Sequence, residues 1–520
     1  MPVTTLAQPV SVASQRRSTE RGFRRVLVVF SVVAAIGVLC HIGLMLWAQN
    51  SFTGPECVVG AQSMMLAHDG TLYYDLNRYP YTVSAYTPLF YLVEAALVKI
   101  GLPAYTSGRL VSFAALMGIV ALVWRVVLLY TRDRYSSWLG TLMAGSSTLL
   151  LSWGTVGQVD TLAVSCALAA FYQFSRYLLR GENTLKWAGL FAVLAFFTKQ
   201  TMIACPVAIC IALLLYRPKV AFQFGATLAA VVGIIALSIN VALSGRFLAD
   251  TVLANLNPYS VEKILQHLKF AVFSSGPLWL IALLGARRAA RVGGRVPFLY
   301  LGVAVGLLLG TAPKIGSDLN YQIESTVLLI ICACLALHAL DFFRLSFRGS
   351  KTWITLLQLP VAVFLVVNFR ITARDLLTRV GGERLARSEV AAVTPYLADG
   401  GRVLSSDYNA LVRLRGRMDL EMLVYRLLVD ARVVDPEPVR RDIAAGEFST
   451  ILLMEDVNHR GNGLNIELAT LPDVQIDEVR RRYRLVAKIP GSDVYVYKPV
   501  GQASGLSGQA GGMPNGEATQ

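Results

Sequence analysis

The chain has 520 residues, of which 55% are hydrophobic and only 16% charged, with a formal net charge of +15. That much apolar surface exceeds what one soluble core can hide, which excludes an ordinary globular enzyme and points to a polytopic α-helical membrane protein. The basic excess falls in short segments between apolar runs and forms no basic domain with interleaved aromatics, so nucleic acid is excluded as a partner.

Arg16, Arg17, Arg21, Arg24 and Arg25 precede an apolar run at 26–47. The run is longer than the apolar region of a signal peptide and lacks a small-residue cleavage site, so it predicts an uncleaved first helix that starts in the cytoplasm. A span needs roughly 20 mostly apolar residues. Further candidates are 108–130, 136–153, 159–178, 185–199, 201–216, 221–243, 271–285, 296–311, 323–341 and 352–369. Residues 86–100, beginning Tyr-Thr-Pro, are short and read as interfacial, re-entrant or one more span. The total is about 11–13 transmembrane helices.

Basic clusters fall on alternate sides of these spans: Arg125, Arg132 and Arg134; Arg176, Arg180 and Lys186; Arg217 and Lys219; Arg287, Arg288, Arg291 and Arg295; Arg344, Arg348 and Lys351. With the N-terminus they are expected on the cytoplasmic side. The opposite side receives the first loop, 48–86, the turn at 157–160, the break at 198–201, and the loops 245–269 and 312–322.

Residues 370–500 are polar and rich in Arg and Asp. Strand patterns at 402–405, 450–454, 484–488 and 493–497, with helical patterns at 371–397 and 436–446, predict a small α/β domain. An odd number of spans puts it outside the cytoplasm. The Gly/Ser-rich tail from Gly501 reads as disordered. Cys40, Cys166, Cys205, Cys210, Cys332 and Cys334 lie in apolar runs and Cys57 lies alone in a polar loop, so neither a disulfide framework nor a metal-ligand spacing follows.

The polar residues of the outer side are the candidates for chemistry. Glu56, near the membrane surface, is either a solvated loop acid or a partly desolvated general base. Asp69 and Asp75 share that loop, in turn-like and tyrosine-rich surroundings. Tyr73, Tyr74, Tyr79, Tyr81, Tyr86, Phe90 and Tyr91 either form an interfacial belt or stack on sugar rings. Asp160, in Gly-Gln-Val-Asp, either caps a helix or faces a cavity as a second acid. Lys199 stands where two apolar runs meet, a costly place for a charge unless it faces water, an anion or a partner such as Asp160. Lys314, Asp318, Asn320, Tyr321 and Glu324 crowd the end of one span, with Tyr321 and Glu324 spaced to share a helix face. Lys314 either binds a phosphate or snorkels. The histidines show no metal spacing, and no nucleotide-binding loop or nucleophile elbow is present.

In order along the chain, an acidic first loop, Tyr-Thr-Pro-Leu at 86–89, Ser-Gly-Arg-Leu at 107–110, Gly-Gln-Val-Asp at 157–160, Thr-Lys-Gln-Thr at 198–201, Gly-Ser-Asp-Leu-Asn-Tyr at 316–321 and a C-terminal polar domain make the sequence resemble the GT-C glycosyltransferases of the ArnT and protein O-mannosyltransferase type. Two departures stand out: Pro55-Glu56 replaces the Asp-Glu of many relatives, and Tyr86-Thr87-Pro88 replaces Lys-Pro-Pro. The resemblance implies a GT-C fold with a C-terminal extracytoplasmic domain, and an inverting transfer of a sugar from a polyprenyl-phosphate carrier to an acceptor hydroxyl. Glu56 would be the base, Asp160 an orienting acid, and Lys199 and Lys314 the binders of the donor phosphate. Asp75, Tyr86, Asp318, Asn320, Tyr321 and Glu324 would contact substrate. Membrane lipids, the carrier and a glycan, lipid or protein acceptor are the implied partners; a divalent metal is left open. The rival reading is a transporter or flippase, which requires polar groups deep in several spans.

Overall fold

A computed structural model describes residues 9–255, 257–340, 351–458 and 471–500, excepting the side chains of 9–24, 26 and 351–358. The basic segment at Arg344 and Arg348 and the tail from Gly501 lie outside the described residues. The chain forms two compact units, Met1–His68 with Ala85–Gly381, and Asp69–Ser84 with Gly382–Gln520.

The first unit is helical. It contains α1 (Pro9–Trp47), α2 (Gly54–Asp69), α3 (Leu89–Lys99), α4 (Ala104–Thr131), α5 (Arg134–Ser146), α6 (Thr148–Gly154), α7 (Val159–Arg180), α8 (Leu185–Thr198), α9 (Ala204–Tyr216), α10 (Pro218–Ala242), α11 (Arg246–Thr251), α12 (Val261–Ala289), α13 (Arg295–Thr311), α14 (Ile323–Ala339) and α15 (Lys351–Val393), the last with residues in both units. Six stretches among the described residues are long and apolar enough to cross a membrane, one of them being α12 and α13 together, while α8 and α9 are shorter apolar helices. Gly293, at φ +103°, breaks α12 from α13 and lets the chain leave the helical path, a conformation that a side chain would strain.

α14 lies at the centre. Every residue from Ile323 to Leu337 is buried, as expected of a helix that is apolar all round. Around it pack buried side chains such as Val123, Leu139, Ile281 and Tyr300 from α4, α5, α12 and α13.

Three expectations are corrected here. The first loop, 48–86, is in part helical: Pro55, with its φ preset for a first turn, opens α2, which buries Cys57, Val59, Ala61 and Met65. The span expected at 136–153 is two helices, because Ser147 is extended and the next residue, Thr148, bonds outside the helix to Asn368 through both its amide and its hydroxyl. α3, at 11 residues, reaches only about 16 Å and is too short to cross a bilayer.

The second unit holds a four-stranded sheet of β1 (Arg402–Ser405), β2 (Phe448–Leu453), β3 (Tyr483–Lys488) and β4 (Tyr495–Pro499), in the order β1-β2-β4-β3. β1 and β2 are parallel, with Leu404 opposite Ile451, and the other pairs are antiparallel, with Leu452 opposite Val496. Parallel strands need a crossover, supplied by α16 (Tyr408–Arg415), α17 (Met422–Asp430) and α18 (Glu437–Ala445); α19 (Asp473–Arg482) precedes β3. Val393, Val403, Leu411, Leu452 and Val496 are among the side chains of its core. Residues 69–84 join this unit through Tyr81, whose amide donates to Asp419 O at 2.8 Å and whose carbonyl accepts from Glu421 N at 2.9 Å. Tyr73, Tyr81, Phe90 and Tyr91 are buried within the protein, so they form neither an interfacial belt nor an open stacking surface.

Candidate functional site

Five of the expected residues converge, and they come from four distant segments. Lys199 Nζ donates to Asp160 Oδ1 at 2.6 Å, and Asn320 Nδ2 donates to Asp160 Oδ2 at 2.9 Å. The same ammonium lies 4.2 Å from the centre of the Tyr321 ring and 5.5 Å from that of Tyr86, where each ring face attracts a cation. Lys199 and Asp160 are about 1% and 2% exposed. Two charges so far from water persist because each has the other.

Local sequence explains the placement. Gln158 is extended, and α7 begins one residue later, so Asp160 falls in its first turn, at the positive end of the helix dipole. Asp160 does not cap α7; its carboxylate is spent on Lys199 and Asn320. Lys199 is the extended residue that ends α8, at the negative end of that helix. The segment bearing Tyr86 is pinned beside it: Gln200 Nε2 and Asn255 Nδ2 both donate to Ala85 O, at 2.8 and 2.7 Å, and Thr87 Oγ1 donates to Phe196 O at 2.7 Å. Asp318 caps the short 3-10 turn Leu319–Gln322 by accepting from Leu319 N, and that turn delivers Asn320 and Tyr321.

The cost of burying the Lys199 ammonium is offset by Asp160 and the two ring faces. Burial also pushes the Tyr86 phenol up, with Lys199 pulling the other way. Asn320 Oδ1 is a buried acceptor with no hydrogen-bond partner among the described residues.

Glu56 belongs to a second cluster. It is about 1% exposed, so of the two readings of the sequence it is not the solvated loop acid. Oε1 accepts from Arg109 Nε at 2.8 Å and Gly157 N at 2.9 Å, and Oε2 from Phe52 N at 2.6 Å and Arg109 Nη2 at 3.1 Å. Arg109 also donates to the carbonyls of Ala48 and Asn50 and lies 4.2 Å from the Phe52 ring centre. The clamp ties the end of α1, α2 and α4 to the 155–158 turn that precedes Asp160. Glycine is needed where that turn meets α4: a Cβ on Gly108 would stand 3.0 Å from Gly157 Cα and 2.6 Å from Glu94 Oε1. Glu94 accepts from Ser63 Oγ at 2.7 Å, and burial raises its pKa to about 8 against the pull of that bond.

Sequence reading missed Arg109 and Glu94 as members of this region. The signal was there: each is an ionisable residue inside an apolar run, which demands a partner.

The remaining candidates lie elsewhere. Lys314 is half-buried, forms a backbone bridge with Tyr259, and makes no ion pair among the described residues. Glu324 accepts from Tyr300 Oη at 2.6 Å. Asp75 is a turn residue of the other unit, accepting from Asn77 N at 3.0 Å and 3.6 Å from Arg78. Among the described residues no three His, Cys, Asp or Glu side chains group as metal ligands.

An apolar cleft of about 530 Å³ runs between α12, α13 and α14, lined by Leu268, Val272, Trp279, Val305, Leu309 and Leu329 among others. Gln322, at one edge, donates to the backbone carbonyl of His267 at 2.9 Å, and stands two residues beyond Asn320. A greasy cleft thus adjoins the segment that supplies the polar cluster.

The chain is a multi-pass membrane protein with the GT-C glycosyltransferase fold. Its structure is similar to that of ArnT from Cupriavidus metallidurans bound to undecaprenyl phosphate, with a TM-score of 0.62 and 12% identity over 91% of this chain and 98% of that one. The same protein in its apo state aligns with a TM-score of 0.60 and 11% identity, over 92% and 98%. Residues 85–242, less than half of the chain, match the family model described as dolichyl-phosphate-mannose-protein mannosyltransferase. That interval contains Tyr86, Asp160 and Lys199. No curated protein matches the sequence.

Proposed function

We propose that this chain is an inverting glycosyltransferase that moves a sugar from a polyprenyl-phosphate carrier to an acceptor hydroxyl on the extracytoplasmic side of the membrane. The observation that carries the reading is the Asp160–Lys199 pair, buried inside an aromatic cage and joined by Asn320 and Tyr321 from the segment that edges the apolar cleft. A lipid phosphate needs that combination of a cation and a long apolar trough. The fold neighbour bound to undecaprenyl phosphate supports the same donor class.

Lys199 receives the donor phosphate and stabilises the charge that gathers on it as the glycosidic bond breaks, in surroundings where a fixed cation acts strongly. The acceptor oxygen attacks the anomeric carbon from the opposite face, the bond from that carbon to the phosphate oxygen breaks, and the polyprenyl phosphate leaves. The hydroxyl proton goes to Asp160. We assign the base to Asp160 and not to Glu56, because all the strong positions of the Glu56 carboxylate are taken by Arg109, Gly157 N and Phe52 N. Glu56 and Arg109 shape the site.

The sidedness rests on charge. Arg176 and Arg180 lie at the end of α7 remote from Asp160, and Lys186 begins α8, which ends at Lys199. Basic ends stay in the cytoplasm. The site, the N-terminus and the C-terminal unit are then extracytoplasmic, cytoplasmic and extracytoplasmic, in that order.

The test is to incubate purified protein in liposomes with radiolabelled polyprenyl-phosphate sugars and a crude envelope extract. Label transferred to an acceptor, and lost in Asp160→Asn and Lys199→Gln, is the expected result. Label that crosses the bilayer still attached to its carrier identifies a flippase instead.

A further inference from the structure

Resting on that reading, we infer that the Asp160–Lys199 pair is a latch which the donor phosphate opens, so that the donor binds first and its arrival releases the base. The oxygen of Asp160 best placed to act is occupied in the resting protein by the ammonium, at 2.6 Å. While it is so held, it can accept no proton from an acceptor. The ammonium is the same group that the phosphate requires, and among the described residues Lys199 has no other ion-pair partner. Phosphate and carboxylate therefore compete for one cation.

The surroundings suit an exchange. Tyr86 and Tyr321 present ring faces at 5.5 and 4.2 Å, and attraction to a ring face is not directed along one N–H bond. The ammonium, a compact charge with three donors on a flexible stem, can turn from carboxylate to phosphate without leaving the cage. Asp160 does not follow it, since its other oxygen is held by Asn320 at 2.9 Å and its position at the start of α7 favours an anion. Once Lys199 has turned away, Asp160 Oδ1 and the unpartnered Asn320 Oδ1 are two acceptors on neighbouring side chains. Together they can receive one attacking hydroxyl.

A latch makes a prediction opposite to that of a merely structural ion pair. Removing the competing carboxylate leaves a buried, uncompensated ammonium, and a phosphate relieves it. Full-length protein in nanodiscs is titrated with undecaprenyl phosphate. Asp160→Asn is expected to bind on the order of tenfold more tightly than wild type, while transferring no sugar; Lys199→Gln is expected to lose binding. In a cryo-EM structure of wild type with undecaprenyl phosphate, Lys199 Nζ should contact a phosphate oxygen and be out of salt-bridge reach of Asp160. Equal or weaker binding by an Asp160→Asn protein with an intact thermal transition overturns the latch. So does a complex in which the pair persists with the phosphate elsewhere, and that structure decides the matter alone where Asp160→Asn fails to fold. Wild type that binds no undecaprenyl phosphate removes the donor assignment and the latch with it, whereas binding without the exchange removes only the latch.

Discussion

Lys199 ends α8 and Asp160 opens α7, so each charge stands at the helix end whose dipole favours it, and the two meet at 2.6 Å. The helices are consecutive and run as a hairpin, which brings the start of one beside the end of the other. A cation and an anion placed this way need no long-range folding accident to find each other. What lies far away in sequence is the material around them: Tyr86 before α3, and Asn320 and Tyr321 before α14.

Lys199→Gln should lower the turnover of sugar transfer on the order of a hundred- to a thousandfold, the usual consequence of removing one fixed donor aimed at developing charge. Lys199→Arg should recover only part of it, because a planar guanidinium replaces a compact ammonium in a cage of two rings. Steady-state transfer from a labelled polyprenyl-phosphate sugar measures both. Arginine working as well as lysine would argue against a point-charge contact with phosphate.

Arg109→Leu should destabilise the protein by roughly 3–5 kcal/mol, since it strands a buried carboxylate. The double variant Glu56→Gln/Arg109→Leu should regain part of that loss. Detergent-solubilised thermal melts read both effects. Glu56→Gln should move the melting temperature more than it moves turnover per folded molecule. A loss of about a hundredfold in turnover with an unchanged melt would return the base to Glu56.

The polar cluster was legible in part: Lys199 stands where two apolar runs meet, a costly place for a charge, and Asn320 belongs to a crowd of polar residues at the end of one span. Partnership was harder to read. Arg109 sits inside α4 with nothing in its own segment to pair with, and only the fold shows that Glu56, 53 residues earlier, is its counterion. For Glu56 the sequence left a solvated loop acid and a partly desolvated base open, and the apolar side chains of α2 carry it into the interior. The four strands of the second unit were visible as short apolar runs, whereas α16, α17 and α19 are 8 to 10 residues each, too short for a clear helical period. The break at Ser147 is tied to Asn368, more than 200 residues away, and its one local sign is the run Gly145-Ser146-Ser147.

Ala271 and Ser275 line the cleft on α12, and a large side chain there would fill volume assigned to the isoprenoid chain. Ala271→Trp should raise the KM for a long polyprenyl donor by roughly tenfold, by the apolar contact it removes, with a smaller change in kcat. A donor with a short isoprenoid chain should be less sensitive. Kinetics with donors of two lengths make the comparison, and equal sensitivity of both would take the lipid out of this cleft.

In the second unit, burial and then the charge of Glu389 raise the pKa of Asp407 from 3.8 to about 7. Asp407 caps α16, accepting from Asn409 N at 3.0 Å and Ala410 N at 3.3 Å. A carboxyl with a raised folded-state pKa holds more protons folded than unfolded between those two values, so its contribution to stability is largest below pH 3.8 and falls as pH rises toward about 7. Hydrogen exchange of the Asn409 and Ala410 amides in the full-length protein should therefore show protection declining over that window, after correction for intrinsic exchange. Asp407→Asn keeps a good capping oxygen and removes the titration. Its amides should stay protected across the window; a decline identical to wild type would assign the pH dependence to another group, with Glu421, whose pKa burial raises to about 8, the first to examine.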